Sequence, residues 1–587
     1  MTNLDRTMAS KEIRTSPEGA KDISPGRKPW VVEAFAPASP EGAKDISPGR
    51  KPWVVETVAP ASPEGAKDIS PGRKPWVPAS PEGAKDISPG RKPWVPASPE
   101  GAKEFLRAPR VLSPLRGSNG LLPSWIVLLL FLTFSSLAFA QPTGPITYKL
   151  TVTPAVPPTP ALQYSLLPEM TDMSSGNALT KYYKAFSLDW WGFYHRQPVK
   201  WHEDFDKAQE APLDQMPAEF NFVKGWRMLR EVDEGARRDH CDWELIPVMK
   251  RDGIGTLLPD VQGMRNIARA LALRARYELA EGDIEKAVYT LQTGFAMAKH
   301  IGEGPSLLHM LVGIAISQVM GQQLDELIRH PKCPNLYWSL SRLPRPFADI
   351  RRPIQAEYMM LSGLVPRFDE LRKGPLPLDE AQEIMDLFLK NMQQLGLANI
   401  DRVTITGQAL ATYGKAKAAL IAGGRKQAVV EQMPVPQVVL LHASEEFLRL
   451  RDDVYKWVAL PFYDGFEGLK RAEAAYKSLR EQGGMLTVFI EMLPTVQKVY
   501  LANVRADRRF AMMRAVEALR LHAAMHDGKF PKSLSEIKAV PVPLDPATGK
   551  AFEYTLQGDK ASLYGPPPPG EQVSASTAML YEVVLRR

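Results

Sequence analysis

The sequence predicts a mainly α-helical body, a helical-hairpin array closed by a small α+β module, preceded by a disordered repetitive N-terminus. Three observations predict it. From 257 to 482, apolar residues recur at helical spacing in segments of about 15–30 residues. Prolines and glycines punctuate these segments at Pro344, Pro346, Gly374-Pro375, Gly423-Gly424, Pro434, Pro436 and Gly483-Gly484. After a long helix from Val496 to His526 the composition changes again, to a Pro- and Gly-containing tail.

In chain order, residues 1–120 hold SPEGAKDISPGRKPWV units beginning at Ser16, Ser39, Ser62 and Ser80, with a decaying copy at Ser98. Each unit offers only Ile23, Trp30, Val31 and their equivalents as apolar surface, too little to offset chain entropy, so disorder is expected. Residues 121–140, LLPSWIVLLLFLTFSSLAFA, follow Arg107, Arg110 and Arg116 and end in Ala138-Phe139-Ala140. A basic approach, a short apolar run and a small-x-small exit make a signal-peptide pattern. A membrane anchor is the alternative, though a spanning helix needs about 20 apolar residues and this segment reaches that only by counting Pro123 and two serines. Both readings place the residues after 140 outside the cytoplasm, periplasmic or in the cell envelope. A signal is read from the start of a chain. The repeats therefore belong either to sequence ahead of a later start, near Val111 or Leu121, or to a cytoplasmic tail.

Residues 141–175, with PAVPPTPA at 154–161, read as an extended Pro/Thr-rich linker. The α-helical array is expected over 176–495. It opens with aromatics (Tyr182, Tyr183, Phe186, Trp190, Trp191, Phe193, Tyr194, Trp201) whose expected role is core packing. Ile267, Leu271, Ala275 and Leu279 define one helix, Gly282-Asp283 a turn, and Ala287, Leu291, Gly294 and Ala298 the next. Ser306 caps another apolar helix through Leu327. Further helices are expected over 346–373, 379–397, 401–422, 435–458 and 464–482.

Two resemblances attach to these residues. The hairpin at about 268–301 resembles a tetratricopeptide unit, with Ala275, Gly282-Asp283, Ala287, Leu291 and Gly294 in the packing and turn positions; it lacks that family's first-helix Trp and closing Pro. The tail, 496–587, resembles the major pseudopilin of type II secretion through Gly528, Phe530, Pro531, Leu534, Pro543, Asp545, Pro546, Gly549, Tyr554 and Tyr564. That likeness implies a long helix running into a small sheet. It does not extend to a calcium loop, because 565–577 supplies only Glu571. The layout as a whole is similar to that of exported helical proteins of planctomycete bacteria.

Charge excludes one class of partner. Of 73 Lys+Arg and 66 Asp+Glu, 19 and 14 fall in 1–140, leaving 54 and 52 for 141–587. The body is nearly neutral, which gives no electrostatic case for nucleic acid. Cys241 and Cys333 are the two cysteines, either one disulfide or two buried thiols. No serine elbow, zinc-protease, P-loop, dinucleotide or EF-hand motif occurs.

The weaker signals are scattered. His442 and Glu445 form a lone HxxE, and His522 and His526 have the spacing of a two-histidine metal edge without an evident third ligand. His240, Cys241 and Asp242 are adjacent, so their side chains diverge. Arg237, Arg238, Trp243, Glu244 and Asp252 mark a charged loop able to border a cleft. No catalytic, cofactor or metal residue is assigned. The expected function is a non-catalytic scaffold for other envelope proteins, touching the membrane only through 121–140 if that segment is retained. The first alternative is a hydrolase using Glu203, Asp204, Glu244 and His240. The second is a pilus-like assembly component. A deep cavity lined by carboxylates and histidines would favour the enzyme, and a shallow apolar groove would favour binding.

Overall fold

The computed structural model describes residues 144–187, 193–253, 256, 261, 263–356, 365, 367–394, 402–481, 489 and 496–586. The chain divides into two units, Met1–Ala108 and Pro109–Arg587, and every described residue belongs to the second. The repeats of 1–120 and the apolar segment 121–140 lie outside the described residues.

The described chain is mainly helical, with a small sheet at its C-terminal end. It starts with β1 (Ile146–Val152) and β2 (Ser174–Asn177), followed by α1 (Ala178–Ala185), α2 (Val199–Ala208), α3 (Arg227–Ala236), β3 (Arg238–His240) and α4 (Leu245–Asp252). Four helices come next: α5 (Gly263–Ala280), α6 (Ile284–Gly302), α7 (Leu307–Arg329) and the short α8 (Tyr337–Ser341). A second helical group comprises α9 (Phe368–Lys373), α10 (Leu378–Gln394), α11 (Arg402–Ala422), α12 (Gln427–Glu431), α13 (Val435–Tyr455) and α14 (Phe462–Glu481). The 30-residue α15 (Val496–Met525) then leads to β4 (Glu553–Gln557), β5 (Lys560–Gly565) and β6 (Met579–Leu585).

The expectation of an extended linker over 141–175 is corrected by β1. The sheet runs β1-β6-β5-β4, with β1 parallel to β6 from Ile146 opposite Met579 to Val152 opposite Leu585. ITYKLTV alternates, burying Leu150 and Val152 while Thr147, Lys149 and Thr151 face out, as a half-buried strand requires. The expected single helix over 346–373 is also corrected. The described part of that range holds helix at 351–356 and at Phe368–Lys373, and Arg367, next after Pro366 in the sequence, takes a left-handed φ of +59° ahead of the second.

Two apolar cores share α15. Phe510, Met512, Met513, Val516 and Leu519 enter a core with α5, α6, α7 and the sheet; Val496, Val499, Tyr500 and Val504 enter a second core with α9 to α14. The expected boundary at 495/496 therefore does not separate two packed bodies. Arginines fasten this helix to its surroundings. Arg508 donates to both Asp545 carboxylate oxygens at 2.9 Å and to the carbonyls of Thr577 and Pro566 at 2.6 and 2.7 Å. Arg509 bonds Asp325 of α7 at 2.7 Å and stacks 4.6 Å over the Tyr148 ring of β1. Arg520 pairs with Glu517 at 2.7 Å and donates to the carbonyls of Thr153 and Cys333, both at 2.9 Å. Asp545 also accepts from the Ala547 amide at 2.9 Å, so one carboxylate holds both the turn at 545–549 and the helix beneath it.

The α5–α6 turn uses Gly282 at φ +75°, and Asp283 caps α6 by accepting from the Lys286 amide at 3.0 Å. Close approach of α6 and α7 depends on Gly313, where a Cβ would stand 2.6 Å from the Ala298 carbonyl oxygen and 2.6 Å from Gly302 Cα. Both obstacles are backbone and can move only if the helices part. Gly313→Ala is therefore expected to cost about 1–3 kcal/mol despite alanine's better helix propensity. Gly407→Ala on α11, where a Cβ meets nothing within 4 Å, is expected to gain about 0.5–1 kcal/mol. Denaturant midpoints of the two variants moving in the same direction would refute this account.

Candidate functional site

Most of the candidates of the sequence take part in a local structural contact. Glu203 is exposed on α2, and neighbouring Asp204 accepts from Lys207 at 3.0 Å. His240 Nδ1 lies 2.7 Å from Asp239 Oδ1 on the surface. Glu244 takes a left-handed φ of +52° at the start of α4, and Asp252 pairs with Arg251. Asn177 pins this loop, donating to the Asp242 carbonyl at 2.7 Å and accepting from the Asp242 amide at 3.0 Å. Arg237 bonds Gln292 and Thr293 and lies 3.7 Å over the Tyr289 ring, while Arg238 donates to the Ser175 carbonyl. Trp243 is buried, its ring centroid 4.6 Å from that of His309.

Other pairings dissolve in the same way. Glu445 accepts from Arg425 at 2.6 Å rather than completing a site with His442. The rings of His522 and His526 stack at 3.9 Å, and His526 Nδ1 lies 2.8 Å from the His522 carbonyl oxygen. Among the described residues no cluster of three or more metal-ligating side chains occurs. Cys241 and Cys333 are both free thiols, and burial pushes each up to about 12, away from thiolate chemistry at neutral pH. Ser306 Oγ sits 2.7 Å from His309 Nδ1, a spacing that suggests a nucleophile and its base. Burial holds His309 down at about 3, too weak a base for that role, and Ser306 already caps α7.

A cleft lies elsewhere, along one face of α15. Tyr500, Asn503, Val504, Asp507, Phe510, Ala511 and Arg514 succeed one another at helical spacing and form one wall of a cleft of about 640 Å³. The facing walls are the segments 340–351 and 458–463, with Leu544 and Pro546 from the turn that Asp545 holds. The cleft follows the seam between the cores: Leu340, Leu343 and Phe510 belong to one, and Ile350, Val458, Phe462 and Val504 to the other. Three large apolar side chains on it remain open to solvent, Leu460 (43 % exposed), Tyr463 (48 %) and Leu544 (60 %).

Few polar groups reach the cleft. Tyr500 donates to the Leu460 carbonyl at 2.7 Å, and burial pushes its hydroxyl up to about 12. Burial pushes Asp507 up to about 7, only partly opposed by the hydrogen bond it accepts from the Phe347 amide at 2.8 Å. Asp349 and Arg351 pair with each other at 2.8 Å. Asn503 donates to the Ala348 carbonyl at 3.0 Å, and its buried Oδ1 has no partner. Arg514 has a buried Nε without a partner, and its pKa is lowered by burial and by the nearby Arg345 charge. Among these groups no side chain is paired as nucleophile and base.

Arg345, Asn503, Asp507 and Arg514 were not candidates from sequence. The available signal was the polar stripe 500–503–507–514 on α15, and among the charged residues on the helix's other faces it resembles a solvated face until the neighbouring segments are in place. No family model, curated protein or solved structure matches the chain.

Proposed function

We propose that the protein is a non-catalytic binding module of the cell envelope, exported through residues 121–140, with the cleft along α15 as its working surface. Its most telling feature is the partly open apolar wall bearing Leu460, Tyr463 and Leu544 at a cleft that holds an unpaired acceptor and an unpaired guanidinium. A hydrolytic centre needs a placed base and nucleophile or a pair of carboxylates at a defined separation. In this cleft one carboxylate is tied to Arg351 and the other is a lone Asp507.

The test is site-specific photocrosslinking of the full chain in its native cells. A photoreactive residue at Tyr463 is expected to capture a discrete protein adduct, and filling the cleft with Ala511→Trp is expected to abolish it while the unfolding midpoint is retained. Absence of an adduct from both Tyr463 and Leu544 positions, or an adduct that survives the filled cleft, overturns the reading.

A further inference from the structure

We infer that the cleft takes the free C-terminal end of an apolar polypeptide, seating its carboxylate between Arg345 and Arg514 and a backbone N–H on Asn503 Oδ1. The inference rests on the binding reading above and names the chemistry of the partner.

The cation pair is the first observation. Arg508, Arg509 and Arg520 on the same helix each have a carboxylate partner; among the described residues Arg514 has none, and its charged neighbour is Arg345, while its Nε, like that of Arg509, is buried without a partner. Two guanidiniums at the end of an apolar cleft repel each other and form a ready fork for a carboxylate.

The second observation is the run of the cleft. Tyr500 lies toward Leu460 and Arg351, and Arg514 toward Arg345 and Tyr337, so the cation pair lies at the Arg514 end of the cleft. At the other end Arg351, Val458 and Ala459 are shared with a further groove lined by Ile354, Leu448 and Tyr455. A ligand can therefore end at the arginines and continue past Tyr500. At ~1.5 Å per residue, α15 covers roughly 21 Å from Tyr500 to Arg514, the length of about six extended residues.

The third observation separates a peptide from a long-chain carboxylate. Asn503 is 3 % exposed and spends its amide on Ala348, leaving Oδ1 as a buried acceptor without a donor. Such an orphan acceptor is destabilising unless a ligand supplies an N–H. A peptide backbone carries one at every residue, and an alkyl chain carries none.

The experiment is fluorescence anisotropy on the full chain with an N-terminally labelled hexapeptide of alternating serine and leucine. Its free-acid and C-terminal amide forms are compared. The free acid is expected to bind about tenfold or more tighter than the amide. Arg345→Met, which alters an exposed side chain, is expected to bring that ratio close to one with an unchanged unfolding midpoint. Asn503→Leu is expected to weaken both forms alike. Equal binding of acid and amide, a ratio unaffected by both Arg345→Met and Arg514→Met, or dodecanoate binding in preference to the peptide overturns the inference. If the Tyr463 adduct depends on an open cleft while acid and amide bind equally, the carboxylate chemistry fails and the binding reading survives. If the acid binds selectively while no adduct forms, the carboxylate chemistry of the cleft stands and the reading of a protein partner in the envelope fails.

Discussion

Replacing Arg508 by methionine is expected to cost about 3–5 kcal/mol of folding stability, because it leaves Asp545 as an uncompensated charge in a fully enclosed site. The loss reaches beyond one ion pair. Arg508 also satisfies the carbonyls of Thr577 and Pro566, and Asp545 holds the turn that carries Leu544 and Pro546 to the cleft. Pairing Arg508→Met with Asp545→Asn removes the stranded charge while keeping an acceptor for the Ala547 amide, so the double variant is expected to be less damaged than the single one. Urea unfolding measures both. A single variant no less stable than the double one would contradict the electrostatic account.

The second large effect is on pH dependence. Asp507 and Glu278 are each pushed up to about 7, by burial first in both cases; for Glu278 the Thr290 hydroxyl and Arg274 oppose it. In the unfolded chain such groups ionise near 4, so between about pH 4 and 7 the folded state binds more protons and loses stability as pH rises. The penalty is complete above pH 7. Buried His300, held at about 4, and His309, at about 3, act on the other side. They ionise near 6.5 when unfolded, so they destabilise the fold progressively as pH falls below that value. Asp507→Asn keeps the acceptor for the Phe347 amide and is expected to add on the order of 3 kcal/mol at pH 8, with little change at pH 4. Unfolding titrations across pH 4–8 that shift by the same amount throughout would refute this assignment.

Much of the helical framework was legible in the sequence, and particular residues show where legibility stopped. Segments 379–397, 401–422, 435–458 and 464–482 lie within a few residues of α10, α11, α13 and α14, because periodic apolar spacing and Pro/Gly punctuation are local signals. Strand β1 was obscured by the prolines that follow it, although Tyr148, Leu150 and Val152 already alternate with Thr147, Lys149 and Thr151. The cleft was not legible at all. Five arginines punctuate α15, and nothing local separates Arg514 from Arg508 or Arg509. What separates them is whether a carboxylate comes from elsewhere, as Asp545 does from 37 residues along the chain and Asp325 from 184 residues away.

The pairing of β1 with β6 has a consequence in time. Ile146 sits opposite Met579, a separation of 433 residues, so the sheet cannot close until almost the whole body has been synthesised. Contacts of such long range slow folding, since the chain must surrender its freedom before they reward it. A body that cannot finish its sheet early stays threadable while its last strand is still missing. Were the chain exported as proposed, late closure would keep it in the state that a translocation channel can accept.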